Sequence, residues 1–176
     1  MRELPVGGTS TNENPGGAVG VLAFKLGLVS VNPEVQGRSY PATAPYLVGR
    51  EKVREFARAV LATSQLHFDE AAARAAGYDD VVAPPTFAIV VQDATLQQLL
   101  ADEDAGVDFS RVVHGDQRFS YTRPIVAGDE LTGTMTVTSV KTLAGNSMVT
   151  SETVITDASG AHVVTATSSL VVRSAE

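Results

Sequence analysis

Ala83-Pro84-Pro85-Thr86-Phe87-Ala88-Ile89-Val90-Val91-Gln92-Asp93-Ala94-Thr95-Leu96-Gln97-Gln98-Leu99-Leu100-Ala101 is the stretch on which the fold turns. Phe87, Ala88, Ile89, Val90, Val91 and Ala94 make the first turns of a helix from Thr86 to Ala101 apolar all round, and Leu96, Leu99 and Leu100 follow. Such a helix belongs inside a core. Its length is roughly 24 Å at about 1.5 Å per residue. Proline suits the first position of a helix, so Pro84-Pro85 marks its start.

Downstream the residue types change. Ser110 to Thr122, Glu130 to Leu143, Ser147 to Asp157 and Ala161 to Arg173 are rich in Val, Thr, Ile, Tyr and Phe, and read as strands. Ala144-Gly145-Asn146 and Ala158-Ser159-Gly160 are hairpin turns between the last three, and Val126-Ala127-Gly128-Asp129 is a further turn. Val164, Ala166, Ser168, Leu170 and Val172 alternate, the mark of a half-buried strand face. Upstream, Thr43 to Val48 reads as a short strand. Arg50 to Leu61 reads as an amphipathic helix with Val53, Phe56, Ala57 and Val60 on one side. Residues 69 to 76 read as a short helix capped by Asp69 and stopped by Gly77. One strand, helices, a buried helix and a four-stranded antiparallel meander form an α+β pattern. The economical packing wraps the sheet around the helix. That is a single hotdog domain, expected over residues 33–176.

Residues 1–32 differ. Gly7 to Gly17 is polar and glycine-rich, so a flexible N-terminal extension is expected, with a start near Val29 or Val31 as an alternative reading. Ala18 to Val31 is mildly apolar but is interrupted by Lys25 and lacks a basic start and a small-x-small cleavage site, so it does not read as a signal peptide. No run reaches the roughly 18–20 apolar residues of a membrane span. A cytoplasmic protein is expected.

Composition narrows the chemistry. The 176 residues suit one domain, and 44% hydrophobic with 19% charged residues is globular. A net charge of −7 argues against a nucleic-acid-binding face. With no cysteine, disulfides, thiolate nucleophiles and zinc–thiolate sites are excluded. His67, His114 and His162 lack metal-ligand spacing, so neither a metal nor another cofactor is expected. The richest local positive charge is Arg50, Lys52, Arg54, Arg58 and Arg74, where an acidic carrier protein would have to dock.

Four segments carry a family likeness. They are Val48 to Ala57, Ala83-Pro84-Pro85-Thr86-Phe87, Val113-His114-Gly115-Asp116-Gln117-Arg118-Phe119 and Arg123-Pro124-Ile125-Val126-Ala127-Gly128-Asp129-Glu130-Leu131. In this collinear order, Tyr46 to Val172 resembles the MaoC-like hydratase/dehydratase branch of the hotdog superfamily. It is most similar to the dehydratase domain related to type-I fatty acid synthase and to the A-type subunit of actinobacterial (3R)-hydroxyacyl-carrier-protein dehydratase.

The resemblance implies reversible dehydration of (3R)-hydroxyacyl thioesters, carried by acyl carrier protein or coenzyme A, in fatty-acid or lipid elongation. It also implies an active-site pattern Asp-x-Asn-Pro-aliphatic-His. Laid on this chain, the Asp position is Ala62, the Asn Ser64, the Pro Gln65, the aliphatic residue Leu66 and the His His67. Elimination moves two protons at adjacent carbons, so an acid and a base are both needed. His67 is the candidate catalytic base, and the resemblance to the A-type subunit implies pairing with a second, MaoC-type hotdog chain that brings the Asp/His pair.

Thr86 and Phe87 are candidate substrate-binding residues, because free N–H groups at a helix start can polarise a thioester carbonyl. Active relatives carry glycine where Pro85 stands, and proline has no N–H. His114-Gly115-Asp116 reads as structural or tunnel-lining, Asp129 as turn chemistry and His162 as exposed. Two other readings stand beside the dehydratase subunit: a non-catalytic acyl-thioester-binding homodimer, and a thioesterase using Asp93. Gln92, Asp93, Gln97 and Gln98 are otherwise one polar stripe at a dimer contact or in solvent.

Overall fold

Val112–Tyr121 (β2), Glu130–Leu143 (β3), Asn146–Asp157 (β4) and His162–Val172 (β5) form the four long strands that the β-branched runs foretell. Tyr46–Leu47 (β1) completes one antiparallel sheet in the order β1-β3-β4-β5-β2. The computed structural model describes residues 15–27 and 31–174. Only β3, β4 and β5 form a meander. β2 crosses over to pair with β5, which corrects the expected four-stranded meander.

Turn chemistry sets the register. Leu143 pairs with Asn146 across Ala144-Gly145, and both loop residues have positive φ (49° and 81°), the backbone of a tight two-residue hairpin. In the β4–β5 turn, Asp157 accepts from the Ser159 N–H and O–H and the Ala161 N–H. Bulges in β2 (His114/Asp116) and β3 (Val137/Ser139) bend the sheet.

The helices are Pro15–Lys25 (α1), Arg50–Ala59 (α2), Glu70–Ala75 (α3) and Ile89–Ala101 (α4). Asp69 caps α3 by accepting from Ala71 N and Ala72 N, and Gly77 ends it at φ 90°. α4 begins later than Thr86. Phe87 N–H donates to Pro84 O and Ile89 N–H to Thr86 O, so the approach is wound tighter than an α-helix. Pro85 disfavours α geometry at Pro84, and neither proline supplies a donor. β1 is shorter than the expected Thr43 to Val48 because Pro45, inside that range, has no N–H for the ladder. The chain before it still follows β3 through Tyr40 N–H to Met135 O and Thr43 N–H to Gly133 O.

The inner face of the sheet packs on α4. One core cluster gathers Val48, Val53, Phe87, Val91, Ile125, Leu131, Ile155 and Val164; the other gathers Val31, Val35, Leu99, Met135, Val137, Val149 and Val172. Gly133 permits the close approach: a Cβ there would lie 3.0 Å from Thr95 Cγ2 and 3.3 Å from Thr153 Cγ2. α4 is covered on one side only, since five strands make half a barrel, and Asp93, Ala94 and Gln97 remain exposed.

Of residues 1–32, residues 1–14 and 28–30 lie outside the described residues. Pro15–Lys25 is helical, with Gly20 against Pro33, while Val31 is buried in the core and Asn32 bonds to Ala105 O and Asp104 O.

Candidate functional site

Ser64 caps the 3₁₀ turn Gln65–His67 by accepting from Leu66 N–H. Two bonds tie this turn to the approach of α4: Val82 N–H donates to Leu66 O, and His67 Nδ1 lies 2.6 Å from Val82 O. A carbonyl can only accept, so Nδ1 carries a proton, and in a neutral imidazole this leaves the lone pair on Nε2. The next residue is fixed from the other side by Ala83 N–H to Ile125 O. Tyr121 OH donates to Pro85 O at 2.8 Å, and burial pushes the Tyr121 hydroxyl pKa up.

These residues wall a cleft of about 530 Å³, lined by Ser64, Leu66, His67, Val82, Ala83, Pro85, Tyr121, Thr122, Arg123 and Pro124. Its wall is mostly apolar and holds one imidazole and no carboxylate among the described residues. Ala62, five residues before His67, spends its N–H on Ala57 O.

The expected pair of helix-start donors shrinks. Phe87 N–H is used by Pro84 O, and its ring is fully buried, edge-on to Phe56 with centroids 5.3 Å apart. Phe87 is therefore a core residue. Thr86 is exposed, and its N–H has no backbone acceptor among the described residues.

Arg123 lines the cleft but is not a free cation. It binds Asp129 through two bonds (2.8 and 3.0 Å) and Asp157 at 3.1 Å, and Asp129 also accepts from Val126 N–H. Asp129 therefore holds its turn and the Arg123 head together. The basic group proposed for carrier docking is similarly engaged. Arg50 grips Asp80 in three bonds, Arg54 and Arg74 share Glu70, and Lys52 pairs with Glu55. Arg58 differs, its guanidinium lying 5.9 Å from the Phe68 ring centre.

The three histidines stay apart. His114 is on β2 beside a bulge, where Asp116 pairs with Arg118. His162, exposed at the start of β5, bonds to Thr122 and Thr165 hydroxyls. Deeper along α4, a hollow of about 140 Å³ lies between the helix and the sheet, and Asp93 and His114 contribute to its wall. Gln92 leaves the expected polar stripe: it is 5% exposed, and Gln117 Nε2 donates to its Oε1 at 2.9 Å. Sequence reasoning missed this pair. Its signal was the period-two set Gln117, Phe119, Tyr121, which puts a glutamine in line with two rings on one strand face.

Residues 34–166 match the family described as FAS1-like, dehydratase domain region. The chain belongs to the FAS1-like dehydratase family. A UPF0336 protein of Leifsonia xyli is 69% identical over 149 residues, covering 85% of this chain and 100% of that protein. Among solved structures, a chain of the HadBC (3R-hydroxyacyl-ACP dehydratase) complex of Mycobacterium tuberculosis is 36% identical with a TM-score of 0.69. That match covers 78% of this chain and 96% of the other. A MaoC-like dehydratase is 39% identical with a TM-score of 0.74, covering 80% of this chain and 42% of that longer one. This member of the family is thus a single hotdog domain, as its pattern of elements implied, and of the MaoC-like type that it resembles.

Proposed function

We propose that this chain is the acyl-binding subunit of a (3R)-hydroxyacyl-thioester dehydratase, paired with a MaoC-type hotdog chain that supplies the Asp/His dyad. The observation that carries the reading is the cleft at the start of α4: it holds His67 and no carboxylate among the described residues, with Ala62 at the aspartate position. In dehydration the base removes the proton next to the thioester carbonyl. The C2=C3 bond forms, the C3–O bond breaks, and the hydroxyl leaves with a second proton as water. One imidazole cannot serve both carbons at once, and a missing general acid or base costs about 10²–10⁴ in rate.

The rest of the architecture supports binding. Thr86 N–H, with the positive end of the α4 dipole, suits a polarised thioester carbonyl. One edge of β2 pairs with β5; its other edge is the end of the sheet, where a second hotdog sheet can continue the ladder. The thioester would be carried by acyl carrier protein or coenzyme A, in cytoplasmic lipid elongation. No helix among the described residues is long and apolar enough to cross a membrane.

The Nδ1–Val82 bond favours a second reading, because it holds Nε2 in the form a general base needs. Here His67 would work within this chain alone. Co-expression with a MaoC-type chain, followed by crotonyl-thioester hydration, separates the two. Activity confined to the complex supports the first. Activity of this chain alone, abolished by His67→Ala, supports the second. Thioester binding with no hydration in either form would leave a non-catalytic acyl-binding protein, and hydrolysis lost in Asp93→Ala a thioesterase.

A further inference from the structure

The hollow between α4 and the sheet has a partly polar wall. Leu96 and Leu170 contribute apolar surface, but Gln92, Gln117, Ser151 and Ser168 also line it. Gln92, Ser151 and Ser168 are buried at 5%, 4% and 6% exposure. The inward positions of β4 and β5 hold small residues here, so space remains where larger aliphatic side chains would close it.

The two glutamines are incompletely used. Their shared bond consumes one Gln117 N–H and the Gln92 oxygen. Gln117 Oε1 is buried with no partner among the described residues. The Gln92 NH₂ group is not used by that bond, and an amide offers two donors. A buried acceptor without a partner is costly to a fold, and such groups persist where something else satisfies them.

What satisfies Gln117 Oε1 must donate, and a group that also accepts can engage the Gln92 N–H groups beside it. A hydroxyl does both. A ketone, ester or carboxylate oxygen cannot donate, and an alkyl end does neither. At roughly 30 Å³ per water-sized group, the hollow holds about four or five such groups. That is the end of a short chain rather than a long one.

We propose that this hollow receives the far end of a short acyl chain bearing a neutral hydroxyl, and that Gln92 and Gln117 select it over the plain alkyl chain. This rests on the acyl-binding reading above and names its substrate class. When the chain end is absent, water fills the same role. A hydroxyl reproduces the bonds of the water it displaces, whereas an alkyl end forfeits them.

The test uses N-acetylcysteamine thioesters, hexanoyl to octanoyl, each with and without a terminal hydroxyl. Binding to the full chain and to its complex is measured by calorimetry, and the Gln92 and Gln117 side-chain amide signals are followed by NMR. The hydroxylated member is expected to bind at least about tenfold tighter than its alkyl twin at one chain length or more. It should move both amide signals, and the preference should vanish in Gln92→Leu and Gln117→Leu. If either variant does not fold, the wild-type preference and amide shifts decide alone. Equal or tighter binding of the alkyl twins overturns the proposal, as does a hollow that takes water only, seen as amide signals no thioester moves. Crotonyl-thioester hydration by the complex is run in parallel. Hydration without the hydroxyl preference removes this inference alone; the preference without hydration removes the dehydratase reading and leaves this one standing.

Discussion

His67 Nδ1 and the carbonyl oxygen of Val82 are joined by a 2.6 Å hydrogen bond that spans fifteen residues of chain. The same bond orients the imidazole and holds the approach to α4 against the turn before α3. His67→Ala should therefore cost about 1 kcal/mol of stability, the usual net worth of such a bond. His67→Asn keeps a donor near the Nδ1 position and should recover most of that loss. Urea unfolding of the three proteins checks the order, and equal stability of all three would show that the bond anchors nothing.

Phe87 should be far more sensitive. It is fully buried and stacks edge-on with Phe56, joining α2 to the start of α4. Phe87→Ala should destabilise by about 3–5 kcal/mol, in the range of large core deletions. Thr86→Ala leaves the main-chain N–H in place and should stay within about 0.5 kcal/mol of wild type, as exposed positions do. Denaturant titration of the pair would show whether side chain and main chain divide the work in this way.

Gly133 is a test of the sheet–helix distance. An added methyl would meet Thr95 and Thr153 at 3.0 and 3.3 Å, both β-branched and both fully buried. Gly133→Ala should cost about 1–3 kcal/mol through overpacking. Gly133→Ala with Thr95→Ser, which removes the nearer methyl, should regain part of it. Additive losses in the double variant would contradict the contact.

Acid should loosen the β4–β5 turn. The Ser159 hydroxyl, the Arg123 guanidinium and the Ala161 and Ser159 N–H groups hold the Asp157 carboxyl down at about 2, against roughly 3.9 in an unfolded chain. A depressed folded-state value means that the unfolded state takes up the proton first. The stabilisation is thus complete above about pH 4 and is lost as pH falls through 2. Asp157→Asn keeps an oxygen acceptor without the charge, so its stability should fall less steeply in that window. Unfolding midpoints measured from about pH 6 to pH 2 read this directly.

Much of the fold was legible in the residues. The four long strands follow runs of Val, Thr and Ile, and Ala144-Gly145 fixes one hairpin because both positions need positive φ. The strand order was not legible, since the crossover of β2 to β5 depends on long-range packing rather than on any turn signal. The site divided similarly. Ala62 and His67 were singled out by laying the resembled family's pattern on the sequence. The spent N–H of Phe87 could not, because it depends on how tightly two prolines wind the turn behind it. Arg50, Arg54 and Arg74 looked like a free basic face, and only the fold brings Glu70 and Asp80 against them.

The division of labour between two hotdog chains is the central claim. It is tested most directly by crotonyl-thioester hydration with this chain alone, with a co-purified MaoC-type partner, and with the same complex carrying His67→Ala. The account predicts no measurable hydration by this chain alone, hydration by the complex, and a change of less than about threefold on His67→Ala, well short of the 10²–10⁴ loss that follows removal of a general base. Hydration by the isolated chain, abolished by His67→Ala, would contradict it.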